Sequence, residues 1–121
     1  MKIFNDNIGK AELLAMIVFT SGCIVDHITT YYGLSMPTIK EANPVVLLMI
    51  GAGIWNVVEI LIIAMGTTSG FILSNTKSRR MVMISILTLI VVGLVRIYAG
   101  VHNIVLITNV GRILEITSVI P

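Results

Sequence analysis

Apolar residues fall in three long blocks along the chain, over about 13–33, 44–72 and 81–107, separated by two short polar stretches at 34–43 and 74–80. A bilayer's hydrocarbon core is crossed by ~20 mostly apolar helical residues, so each block predicts a transmembrane helix. The second and third blocks exceed that length, which predicts tilt or projection beyond the hydrocarbon. The predicted fold class is all-α, a transmembrane bundle of three helices forming a single integral membrane domain over 1–121. The tail, 108–121, carries Arg112 and Glu115 among apolar residues and is too short for a fourth full span. It is expected either to extend the third helix or to form a short or interfacial C-terminal fourth helix.

Residue types at the block edges agree with these elements. Gly33 suits the end of the first helix. Asn43 is a good N-cap, and Pro44 a good first helical residue because its missing N–H would have had no helical partner. Glu41 sits ahead of the same helix start, near the positive end of its dipole.

Composition turns the three blocks from buried core into lipid-facing surface. Hydrophobic residues make up 56% of the 121 and charged residues 12%, with a mean hydropathy of +1.01. That charged fraction is about half the ~25% of a soluble domain. The net charge of +2 is small and its carriers scattered, which argues against a nucleic-acid partner. The single Cys23 allows no intrachain disulfide. Lys2 and Lys10 before an apolar run, with Thr20-Ser21-Gly22-Cys23, loosely resemble a lipoprotein signal. However, Thr20 stands where a bulky aliphatic is usual and the apolar run continues past Cys23, so the segment is expected to stay as a helix.

Lys77, Arg79 and Arg80 lie between the second and third blocks, and Lys2 and Lys10 before the first. With three spans these regions share one side, which the positive-inside rule makes cytoplasmic. The predicted location is the cell membrane, multi-pass. The N-terminus and the 74–80 loop are cytoplasmic, and the 34–43 loop and the C-terminus external.

Each block holds one ionisable residue that is expensive in hydrocarbon: Asp26, Glu59 and Arg96. Helical spacing gives each a stripe of small or polar neighbours, which predicts helix–helix seams. The stripes are Gly22, Asp26, Thr29, Thr30 and Gly33 on the first helix; Ala52, Asn56, Glu59, Ile63 and Gly66 on the second; and Gly93, Arg96, Gly100 and Asn103 on the third. At ~1.5 Å of rise per residue, Asp26 lies about 10 Å inside the outer end of the first span and Arg96 about 24 Å from the inner end of the third. The predicted outer-leaflet cluster is Asp26, Thr29, Glu41, Asn43, Arg96, His102 and Asn103, with an Asp26–Arg96 pair at its centre. Glu59 would lie about 22 Å below Pro44 on a continuous helix. A Glu59–Arg96 pair is the arrangement that competes with Asp26–Arg96, but the depths differ by several ångströms, so Glu59 is expected instead to be protonated, to form a second polar site with Asn56, or to meet another chain. The cluster has two readings, as glue that fixes the register of the helices and as a binding site for an ion, lipid head group or substrate.

Asp26-His-Ile-Thr29 closing the first helix, followed by Glu41-Ala-Asn43-Pro44 opening the second, resembles a family of small multi-helix membrane proteins classed as a domain of unknown function. The similarity covers about the first half of the chain. The stretch from Arg96 to Asn103 looks like a further polar element of that family, whereas Glu59 matches no feature of it. The resemblance implies a shared polar site and no particular activity.

Other chemistry finds little purchase. Asp26, Glu41, His102 and His27 offer metal-ligand types, but Asp26 and His27 are adjacent and point ~100° apart on a helix, and Arg96 would repel a cation. Cys23 in apolar surroundings is inert. An acid–base pair from Asp26 and Glu41 is conceivable on a lipid-linked substrate. Glu59 and Asp26 would serve as two stations of a proton path only in an oligomer. Trp55 and the Tyr31-Tyr32 pair are expected to be interface anchors. The leading expectation is an accessory or structural subunit of a membrane assembly, non-enzymatic and without cofactor, its partners being membrane lipids and other chains or copies of itself. The alternatives are an ion- or head-group-binding or transport module, then a membrane enzyme.

Overall fold

The computed structural model describes residues 2–74 and 78–119, with side chains over 9–73 and 78–112. These residues form four helices and, among the described residues, no strand: α1 (Lys2–Leu34), α2 (Pro44–Gly51), α3 (Trp55–Ser74) and α4 (Arg79–Val119). Three stretches are long and apolar enough to cross a membrane: Gly9–Leu34, Trp55–Leu73 and Arg79–Arg112.

The block over 44–72 is two helices, not one. α2 ends after two turns, and Ala52 and Gly53 donate their backbone N–H groups to Leu48 and Ile50. Gly53 takes a φ of +70°, a left-handed conformation that suits a residue without a Cβ. Gly51, Ala52 and Gly53 also put two poor helix formers within three residues. Hydropathy registers how apolar this segment is and is blind to the break. At the other end of the chain α4 runs on to Val119, so the described part of the tail extends the third long helix. The fourth helix is α2, not a separate C-terminal element. Helix α1 runs one residue past Gly33, which serves in packing, 3.6 Å from Ile107 and Ile39 at the position of a Cβ.

Helices α1 and α4 lie parallel and share the most extensive interface. Gly22 abuts the Gly93 carbonyl, Gly100 lies against Val25 and Asp26, and Gly33 meets Ile107, so contacts on both helices advance together. A Cβ on Gly93 would lie 2.8 Å from backbone atoms of Phe19, a clash that no rotamer change relieves. These are the small-residue seams expected where helices meet in lipid. Helix α3 runs antiparallel to α1: Gly66 seats the Phe19 ring and Gly70 the Met16 side chain. Ala15, Phe19 and Cys23 close the core with Val82, Ile86 and Leu89. Outside it, large apolar side chains such as Leu48, Met65, Phe71 and Leu87 are exposed, an arrangement suited to lipid and costly in water.

Candidate functional site

One charge from each long helix meets at the end of the bundle where α1 finishes and α3 begins. Arg96 Nη1 donates to Asp26 Oδ2 at 2.8 Å and to Glu59 Oε1 at 3.0 Å. The sequence treats these pairs as rivals because a continuous helix from Pro44 carries Glu59 too deep. The break at 52–54 removes the difference. Glu59 is the fifth residue of α3, only ~6 Å along its axis from the start. Close approach of α1 and α4 brings Arg96 into reach, since a Cβ on Gly22 would press on the Arg96 Cβ at 3.1 Å.

Further out, about one turn beyond Asp26 on α1 and two turns beyond Arg96 on α4, Asn103 Nδ2 donates to Thr30 Oγ1 at 2.9 Å and Thr29 Oγ1 at 3.3 Å. The Thr29 hydroxyl in turn donates to the Val25 carbonyl at 2.8 Å. Before α2, Asn43 Oδ1 caps the helix by accepting from Val45 N–H at 3.0 Å, and Glu41 Oε1 accepts from Asn43 N–H at 2.7 Å. Glu41 and Asn43 thus build the helix start that their sequence position implies.

Between these groups lies a pocket of about 510 Å³. Of the residues expected in the outer cluster, Asp26, Glu41, Asn43, Arg96, His102 and Asn103 border it, while Thr29 supports Asn103 from outside the lining. His102 and Asn43 on its rim are exposed, and His102 stacks on Tyr98 with ring centres 6.5 Å apart. The expected second site, Asn56 with Glu59, does not form. Glu59 joins the main pocket, and Asn56 is exposed in a separate recess of about 360 Å³ beside Tyr31 and Leu34. A helical step of three residues permits the Asn56–Glu59 pair, but Arg96 is the stronger partner for a carboxylate.

Trp55 is not the interface anchor its composition suggests. It is 7% exposed, borders the pocket and packs against His27, the rings tilted by 34° with centres 4.3 Å apart. As the first residue after the break it turns inward with the start of α3, and only recognition of the Gly51–Gly53 break would reveal this. Four buried polar atoms find no hydrogen-bond partner among the described residues: Trp55 Nε1, Glu59 Oε2, His27 Nδ1 and Glu12 Oε1. Glu12, 1% exposed, lies at the opposite end of the bundle. Its signal is spacing: Glu12, Ala15, Phe19, Cys23 and Asp26 share one face of α1. His27, weighed as a metal ligand with Asp26, Glu41 and His102, packs on Trp55. Among the described residues no three His, Cys, Asp or Glu side chains gather as a ligand set.

Three apolar helices long enough to cross a membrane, with a charged pocket beside them, are compatible with a small helical membrane protein. The sequence matches the family model described as Domain of unknown function (DUF5658) over residues 17–109, and the chain belongs to that family. The match extends past the first half of the chain, where the Asp26 to Pro44 resemblance lies, and takes in Glu59, Arg96 and Asn103. No curated protein and no solved structure was found to match the chain.

Proposed function

We propose that the protein is a membrane-embedded binding module that holds a small polar ligand or lipid head group in the Asp26–Glu59–Arg96 pocket. One observation carries this reading. Glu59 and Trp55, each more than nine-tenths buried, border the pocket, and each keeps a hydrogen-bonding atom without a partner among the described residues. Leaving such a group unsatisfied costs about 1–3 kcal/mol, and buried polar groups are almost always paired. A network built only to fix register would be expected to satisfy them from within. A ligand entering the pocket beside these two side chains would offer partners to both after a small side-chain shift.

Lys10, Arg79 and Arg80 belong to the ends of α1 and α4 remote from the pocket. The positive-inside rule then puts the pocket on the external side and the basic end in the cytoplasm. Acid–base chemistry between Asp26 and Glu41 finds less support, because Asp26 is engaged by Arg96 and Glu41 by the Asn43 N–H. The accessory-subunit reading keeps one point in its favour. Asn56, an exposed amide near the start of an apolar helix, is suited to a hydrogen bond with another chain.

Native mass spectrometry of protein extracted from its own membrane tests the binding reading. The wild type should carry a small molecule or lipid through mild detergent, and Ala99→Trp, which fills the pocket from α4, should lose it while remaining helical. A bare wild-type chain whose thermal stability responds to no head group would rule the reading out.

A further inference from the structure

The charge balance of the pocket points to the class of ligand. Three carboxylates, Asp26, Glu41 and Glu59, border it against one guanidinium, and Arg96 Nη1 already serves two of them. Glu59 Oε2 is buried and has no donor among the described residues. Surplus negative charge beside the apolar walls of Val46, Val95 and Ala99 is costly, and a cationic ligand removes that cost.

The surroundings say which kind of cation. A volume of about 510 Å³ is generous for a bare metal ion, and no set of three metal-ligating side chains converges among the described residues. Trp55 and Tyr98 present aromatic groups at the lining, and such rings attract organic cations. Glu59 Oε2 lacks a hydrogen-bond donor among the described residues, and a primary ammonium supplies one where a quaternary one does not. An adjoining recess of about 140 Å³ shares Thr30, Glu41, His102 and Asn103 with the pocket and adds Lys40, a charge matched to a phosphate oxygen.

Resting on the binding reading above, we propose that the pocket takes a primary ammonium ligand of the aminoalkyl-phosphate class, with the ammonium at Glu59 and the phosphate toward Lys40. A phospholipid head group and a free aminoalkyl phosphate share this chemistry.

The test uses Trp55, the chain's single tryptophan, as the reporter. Full-length protein in maltoside detergent is titrated with short-chain phosphatidylethanolamine, phosphatidylcholine and phosphatidylglycerol, and with free phosphoethanolamine. The expected result is a saturable change in Trp55 emission with phosphatidylethanolamine at a concentration at least about ten-fold lower than with the other two lipids, as suits a charged hydrogen bond. An equal response to free phosphoethanolamine supports the same chemistry from a soluble source, and a response confined to the lipid supports the membrane source. Glu59→Gln, which keeps an oxygen for Arg96, should weaken binding by about ten-fold or more. Glu41→Gln on the rim should weaken it less, and it serves if Glu59→Gln does not fold. Equal or tighter binding of phosphatidylcholine or phosphatidylglycerol would overturn the ammonium assignment and leave the binding module standing. No saturable response to any of the four would overturn both.

Discussion

Arg96 holds two helices through a single nitrogen, so its loss should be felt beyond one contact. With the guanidinium gone, Asp26 and Glu59 face each other with no compensating charge. Removing one partner of a buried ion pair typically costs about 3–5 kcal/mol. Arg96→Leu is therefore expected to lower the detergent-solubilised melting temperature steeply, and an unchanged melt would show that the triad holds nothing together. Asn103→Ala removes neutral hydrogen bonds to Thr29 and Thr30 and should cost only ~1 kcal/mol in the same assay. At this scale the sequence is informative about Asp26 and Arg96, because a lone charge on an apolar helix must find a partner. It is less informative about Trp55 and Glu12, whose burial depends on how their helices are turned.

Among the helices, glycines set the spacing. Gly93→Ala would drive a Cβ into the Phe19 backbone, and overpacking of this kind costs about 1–3 kcal/mol. Gly111→Ala meets nothing within 4 Å among the described residues and should leave stability unchanged or slightly raised by better helix propensity. Equal melts for the two variants would contradict the α1–α4 seam. The seam is legible in the sequence because Gly22, Gly93 and Gly100 recur at helical spacing beside the charges. The α2–α3 break is not, since a membrane-length apolar run is the same whether its helix is straight or interrupted. Gly53→Ala puts a side chain at φ +70°, a strain of about 1–2 kcal/mol. It should favour a straighter helix and weaken any ligand response in the pocket, because Glu59 is carried away from Arg96.

For the molecule as a whole, the three spans follow from hydropathy, whereas the pocket depends on a turn that hydropathy does not register. Orientation rests on the separation between the basic end and the pocket end. A Cys23→Ala background allows a test with a membrane-impermeant thiol reagent on intact cells. Ser35→Cys, just beyond α1, should label from outside, and Ser78→Cys, just before α4, only after permeabilisation. The reverse pattern would put the pocket on the cytoplasmic side.

A double-mutant cycle between Glu59 and Arg96 bears most directly on the convergence of the three helices on one polar site. Unfolding free energies in detergent are measured for wild type, Glu59→Leu, Arg96→Met and the double variant, each single change removing the contact. Contact at 3.0 Å predicts a coupling of about 0.5–3 kcal/mol, with the double variant less damaged than the two single losses combined. Additivity within about 0.3–0.5 kcal/mol would mean that the two side chains do not meet. Glu59 would then lie deep on an unbroken helix, away from Arg96.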